Sequence, residues 1–311
     1  MIKRTLYFGN PAYLKTVNEQ LVIETILPVP LVPEGEDKEV KTIAKTIPIE
    51  DIGLLILDHR QITITQALLS KLLANNTAVI SCDETHHPTG MLFNLDGNSL
   101  QSQKFQAQLN STIPLKKQLW QQTVIAKIQN QAAVLAIRRE ENKMLLSLAN
   151  DVRSGDSNNC EAQAAAYYWK RVFPDTLQFR RERYGPPPNN LLNYGYAILR
   201  AVVARSLVSS GLLPTLGIHH RNQYNAYCLA DDIMEPYRPY ADLVVYQIVR
   251  NNGQYLEMSP SIKKSLLEIP AMDVVIDGKK SPLMNAVQRT TASLAKCYEG
   301  VQRKILYPAI G

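Results

Sequence analysis

Residues 217–239, GIHHRNQYNAYCLADDIMEPYRP, gather two histidines, three acids (Asp231, Asp232, Glu235), two arginines and three tyrosines into one short stretch. The stretch follows directly on a long apolar segment, so side chains that are costly to bury lie beside a core. Such placement calls for a metal, a substrate or a salt-bridge network as compensation. Asp232 and Glu235, at i and i+3, share a helical face, with Arg238 one turn further on. Imidazole together with carboxylate suits a divalent cation such as Mg2+ or Mn2+, for which oxygen donors dominate and nitrogen is tolerated. His220 can equally serve as a general base. A buried ion-pair network of His220, Glu235 and Arg238, holding helices in register, accounts for the same residues without any chemistry. The chain has no HExxH, GxSxG, GxGxxG or P-loop pattern, so zincin, serine-hydrolase and nucleotide-cradle chemistries find no support.

A further acid, Glu161, opens the segment CEAQAAAYYWKRVF after Asn158 and Asn159, either of which can cap a helix. In a first turn a carboxylate also suits the helix dipole, which is one sufficient reason for its presence. Its spacing argues for more. Glu161, Ala165, Tyr168 and Val172 fall at i, i+4, i+7 and i+11, so the acid shares a stripe with residues expected to be buried and needs a partner. From a separate helix it can complete the shell of a cation. Residues 179–190, FRRERYGPPPNN, set Arg180, Arg181, Arg183 and Tyr184 before a triple proline that cannot lie inside a helix. This is a stiff basic loop: either a linker, or a phosphate-contacting segment with a stacking or hydrogen-bonding tyrosine.

The elements that must position these groups divide the chain. Up to about residue 97, the runs TLYFG, QLVIETI, KTIPI, GLLIL and TAVISC read as short strands separated by Pro, Gly, Asn and Asp. One helix over 65–75 interrupts them, with Leu68, Leu69, Leu72 and Leu73 on one face, and 31–39 reads as an exposed acidic loop. Cys82, His86 and His87 offer metal-binding atoms, but their loop is turn-like and no fourth ligand is near in sequence. From 98 onward the pattern is helical, over 115–129, 132–148, the Glu161 segment and NNLLNYGYAILRAVVARSLVSSG, which Asn189 or Asn190 can cap and Gly211 can stop. VVIDGKK reads as a hairpin-like turn at Asp277-Gly278. The expectation is an α+β two-domain chain: residues 1–97 a β-sandwich-like domain with one helix, residues 98–311 an all-α domain carrying the active site.

The totals bound the function. With 311 residues, 45% hydrophobic and 20% charged, the chain can bury ample core. The four cysteines form no CxxC pair, which argues against a structural zinc site or a disulfide framework. Arg200 and Arg205 interrupt the most apolar run and the start is basic without an apolar core, so a soluble, cytoplasmic protein with no membrane partner is expected. Net charge is +6, unevenly placed: residues 1–110 hold nine Lys/Arg against twelve Asp/Glu, and the remainder 25 against 16. The C-terminal excess suggests contact with a polyanion.

The segments GIHHRNQYNAYCLADDIMEPYRP, RRERYGPPPNNLLNYGYAILRA and NCEAQAAAYYW, with IPIEDIGLLILDHRQITIT near the start, resemble the universal CRISPR-associated adaptation endonuclease/integrase family. The LADDxMEPxRP element and GIHH context look most like members from type II systems. The likeness covers nearly the whole chain, with several motifs in order. It implies an N-terminal β domain that makes a homodimer and a C-terminal helical domain with the active site. It implies metal ligands at Glu161, His220 and Glu235, support for them from Asp232 behind and Arg238 beside, and a tyrosine near the reacting DNA end at Tyr184 in the loop of Arg180, Arg181 and Arg183. It further implies Mg2+ or Mn2+ as cofactor, DNA (protospacer and repeat array) and a small ferredoxin-like adaptation subunit as partners, and insertion of DNA by attack of a 3′-hydroxyl on a phosphodiester. A nuclease of branched or single-stranded DNA, or a non-catalytic DNA-binding scaffold, are the alternatives.

Overall fold

Strand β5 (Ile52–Leu57) is buried along nearly its whole length, as a strand covered on both faces must be. In a computed structural model describing residues 3–26, 42–86, 88–174, 177–251 and 255–311, it sits inside a sheet of order β1-β5-β7-β8, with β1 at Arg4–Phe8, β7 at Ala78–Cys82 and β8 at Pro88–Leu92. The first three strands pair in parallel and only β8 is antiparallel. A second sheet, β4-β3-β2-β6, is built from Ala12–Val17 (β2), Gln20–Ile26 (β3), Thr42–Pro48 (β4) and Ile62–Ile64 (β6). Here burial alternates: Ala12 and Leu14 point inward and Tyr13 outward, giving a one-sided sheet. Helix α1 (Gln66–Ala74), capped by Thr65, adds Leu68 and Leu72 to a core shared with Leu14 and Leu21 of one sheet and Leu55 and Val79 of the other. The chain is thus α+β, β-rich in its N-terminal region and helical in its C-terminal region. It falls into two compact units, Met1–Leu95 and Asp96–Gly311. The acidic loop 31–39 lies outside the described residues, as does His87; His86 Nδ1 instead sits 2.8 Å from Asp58 Oδ1, and the Tyr7 hydroxyl donates to the same carboxylate.

In the second unit α2 (Gln101–Leu109) precedes α3 (Ile113–Ile137), whose Thr112 cap and Pro114 set its first turn. Where the periodicity suggested two segments over 115–148, α3 runs unbroken for 25 residues and the break comes at 138–142, with Arg139 at positive φ, before α4 (Lys143–Asp151). The polar run Gln129-Asn130-Gln131 does not end the helix, because Asn130 is answered across the core. Its Nδ2 donates to the carbonyls of Pro236 (2.8 Å) and Pro308 (3.1 Å), and its Oδ1 accepts from Ile310 N (3.0 Å). Next follow α5 (Cys160–Trp169) and the long buried α6 (Asn189–Ser209). Gly211, at φ +74°, ends α6 as expected, with Leu212 N reaching back to Leu207 O at 2.9 Å. Helices α7 (Cys228–Met234) and α8 (Arg238–Asn251) are joined by a 3-10 turn, Glu235–Tyr237, where Pro236 supplies no amide for the ladder. Helices α9 (Pro260–Leu267) and α10 (Leu283–Tyr298) complete the unit. An all-α second domain is corrected here: β9 (Asp273–Ile276) and β10 (Lys279–Pro282) form an antiparallel hairpin. Asp277 and Gly278 both take positive φ, the geometry of a two-residue hairpin turn.

Candidate active site

Glu161 enters through the start of α5. Asp156, not Asn158 or Asn159, answers the first amides: its carboxylate accepts from Cys160 N (2.8 Å) and Glu161 N (3.0 Å), while Asn159 is left-handed and makes no cap bond. With Asp156 on that duty, the Glu161 side chain turns elsewhere. The expected stripe is shorter than its spacing implied, because α5 stops at Trp169, before Val172, although both Tyr168 and Val172 are buried.

The partner of Glu161 is Lys127, from the middle of α3. Lys127 Nζ lies 2.7 Å from Glu161 Oε1 and 2.6 Å from Glu235 Oε2, so two acids from separate elements close on one nitrogen. Burial works against the Lys127 ammonium, yet Glu235 and Glu161 outweigh it and hold its pKa above the usual lysine value. Burial likewise penalises the Glu235 carboxylate, and Arg238 and Lys127 overcome this to lower its pKa, so it stays ionised. Arg238 Nη2 completes the pairing at 3.0 Å from Glu235 Oε1.

His220 is set by Asp232 of α7. Fully buried Asp232 accepts from the backbone amides of Ile218 (2.7 Å), His219 (3.0 Å) and His220 (3.3 Å), and its Oδ1 lies 2.5 Å from His220 Nδ1. Gly217 is required by this wrap: an added Cβ would collide with the His220 carbonyl and lie 2.8 Å from Asp232 Oδ2. The Asp232 hydrogen bond raises the His220 pKa; burial opposes it, and the charges of Asp232, Glu235 and Glu161 push it further up. His219 stacks on the buried Trp120 ring (4.2 Å, 4°), and His220 meets the same indole edge-on at 5.8 Å. Asp232 and Glu235 therefore do different work: one folds the histidine turn, the other faces Lys127.

In the basic loop Arg181 is tied down, donating to Asn189 Oδ1 (2.9 Å) and Asn193 Oδ1 (2.7 Å). The expected cap role of Asn189 gives way to this: its amide donates to the Arg180 and Pro186 carbonyls, both at 3.0 Å, and Pro188 occupies the cap position. Arg180 pairs with Glu182 at the surface, Arg183 lies over the Tyr184 ring at 5.5 Å, and Tyr184 is 92% exposed. The Tyr196 ring is flanked by Arg181 (5.5 Å) and Arg238 (4.9 Å), linking loop and acids.

Behind that ring lies Asp242, buried, accepting from Tyr168 (3.0 Å) and Tyr196 (2.5 Å). Burial raises its pKa from 3.8 to about 6, against the two tyrosine hydrogen bonds and the charges of Arg238 and Arg181. A carboxyl raised in the folded state contributes its full stability below the unfolded value and loses it as pH rises through the folded one. Between about pH 4 and pH 7, wild-type stability should thus fall relative to Asp242→Asn by on the order of 2–3 kcal/mol. Urea unfolding of both proteins at the two pH values measures it; a pH-independent difference would show that Asp242 titrates normally.

The family described as "CRISPR associated protein Cas1" matches residues 6–258. The chain belongs to the Cas1 family. It is 39% identical over 295 residues to the CRISPR-associated endonuclease Cas1 of Neisseria meningitidis serogroup C (strain 8013), covering 94% of this chain and 91% of that protein. It is 27% identical over 264 residues to a CRISPR-associated endonuclease Cas1 of Pyrobaculum aerophilum, covering 80% of this chain and 88% of that one. Its fold matches a casposase bound to an integration product (TM-score 0.75, 20% identity, 98% of this chain and 92% of that one) and a Cas1 protein from Thermotoga maritima (TM-score 0.72, 16% identity, 96% and 98%).

For a Cas1-family chain the fit of a divalent ion is the natural question. The donor chemistry fits: two carboxylates close on a single cationic centre, and an imidazole lies within their field. The spacing is set for Lys127 instead, and among the described residues no group of three or more His, Cys, Asp or Glu side chains is arranged to hold an ion. Sequence reasoning missed Lys127, Trp120 and Asp156. The signal available for Lys127 was its position on the apolar face of α3, between Val124 and Ile128. Among the described residues no helix is long and apolar enough to cross a membrane.

Proposed function

We propose that this Cas1-family protein is a DNA endonuclease and integrase of CRISPR adaptation, inserting short DNA into a repeat array. The observation that carries the reading is the convergence of Glu161 and Glu235, delivered by α5 and the 3-10 turn, on one cation beside a histidine oriented by Asp232. Similarity to the meningococcal endonuclease across nearly the whole chain supports it.

Glu161, His220 and Glu235 would hold Mg2+ or Mn2+, which when bound polarises the phosphodiester and neutralises developing charge. Asp232, bonded to His220 Nδ1, leaves Nε2 as the ring atom available for a ligand or a proton. Arg238 keeps the Glu235 carboxylate ionised and oriented. Arg180 and Arg183 at the surface, with exposed Tyr184, bind and align the DNA, and this contact weakens steeply with salt. An incoming 3′-hydroxyl gives up its proton as its oxygen bonds to phosphorus, and the 3′-oxygen displaced from the target strand leaves and takes up a proton. No covalent enzyme intermediate forms, and alignment with charge neutralisation supplies the catalysis. The acting species pairs through its N-terminal unit as a homodimer and joins a small ferredoxin-like subunit.

A supercoiled plasmid bearing a repeat, a short duplex with free 3′-hydroxyls and the small subunit test the reading. Joined product is expected, falling by about a thousandfold or more in Glu161→Ala and in EDTA. Cleavage without joining would instead make the protein a plain nuclease of branched or single-stranded DNA. The non-catalytic scaffold is the second reading, favoured by Lys127 sitting between the acids, and neither joining nor cleavage is its signature.

A further inference from the structure

Lys127 projects from the buried face of α3, its side chain 11% exposed, and its ammonium nitrogen lies within 2.7 Å of an oxygen of each acid. Both acids are among the residues the proposed function assigns to a divalent ion. An ion bound to both at about 2.0–2.3 Å would have to lie where the nitrogen now is. Two cations cannot share that space, and their repulsion in a buried setting is large. Glu235 cannot turn away freely, since Arg238 holds it at its other oxygen, whereas the partly exposed Glu161 carboxylate is held by Lys127 itself.

We infer that Lys127 is a resident counterion that competes with the divalent ion for the gap between Glu161 and Glu235, so that metal loads only as the ammonium moves aside. The inference rests on the reading of those acids as ligands. It explains how two acids, one of them fully within the core, stay paired and folded when no ion is bound: an uncompensated buried carboxylate pair would repel or take up a proton. It also makes metal affinity a property of α3, an element that contributes no ligand. Lysine suits the role, being a compact charge on a flexible stem that can withdraw, whereas the rigid fork of arginine would hold both acids at once.

The test is Mn2+ binding to the full-length protein without DNA, with free ion followed by electron paramagnetic resonance. Lys127→Met should bind Mn2+ about tenfold more tightly or better, and Lys127→Arg about tenfold more weakly, than wild type. Thermal unfolding in EDTA should occur at a lower temperature in Lys127→Met and recover on adding Mn2+. Should Lys127→Met need Mn2+ in order to fold, that dependence is the expected competition in another form, and Lys127→Arg still decides. Glu161→Gln and Glu235→Gln separate the two claims. If they bind Mn2+ as wild type does, the ligand reading itself fails. If they lose Mn2+ while Lys127→Met matches wild type or binds more weakly, the acids are ligands and the counterion inference is overturned.

Discussion

Asp232→Asn should lose about 1–3 kcal/mol of stability and about ten- to a hundredfold in DNA joining, while Asp232→Ala should lose about 3–5 kcal/mol of stability as well. The two outcomes follow from one carboxylate with two tasks. Asp232 is fully buried and accepts the amides of Ile218, His219 and His220, so truncation leaves those donors facing a void in a turn that Gly217 has already packed tightly. Asparagine keeps one acceptor oxygen for the Ile218 and His219 amides, which share Oδ2, but presents an NH2 group to the His220 amide and ring on the Oδ1 side. Against His220 Nδ1–H that group is donor facing donor, so the ring must shed the Nδ1 proton, flip or withdraw, and Nε2 no longer offers its lone pair in place. Urea unfolding separates the stability loss from the joining loss. Unchanged joining in Asp232→Asn would mean that the histidine is oriented by the Trp120 and His219 stack alone.

The stretch 217–239 was legible because its composition is costly: Asp232 and Glu235 beside an apolar helix must each have a partner, and each has. What spacing could not separate was their tasks, since i and i+3 place both on one helical face while the 3-10 turn after Met234 sends Glu235 toward α3. Lys127 was hidden for a different reason. Its place on the apolar face of α3 marks it as buried, but its partners lie 34 and 108 positions away, beyond any periodicity. The N-terminal region shows the same limit. Long apolar strands such as β5 stood out, whereas β6, with three residues, and β2, whose alternation is broken by polar residues, were missed. The parallel pairing of β1, β5 and β7 depends on crossovers that local pattern does not encode.

Glu235→Ala should be among the most damaging single changes in the protein, lowering stability by about 3–5 kcal/mol and the unfolding temperature by on the order of 10 °C. Removing the carboxylate leaves Lys127 and Arg238 as buried or half-buried cations whose pairing partner is gone, with only Glu161 to answer the lysine. Glu235→Gln keeps the shape and one acceptor oxygen, so its stability loss should be smaller, about 2 kcal/mol, while joining falls by about a thousandfold. The pairing itself is measured by a double-mutant cycle. Lys127→Met removes one of the cations that Glu235→Gln strands, so the double variant should be more stable than the sum of the single losses by about 1–3 kcal/mol. Additive losses would show that the lysine and the acid, although 2.6 Å apart, are each stabilised by other neighbours, and the cluster would then be three separate ion pairs instead of one coupled charge centre.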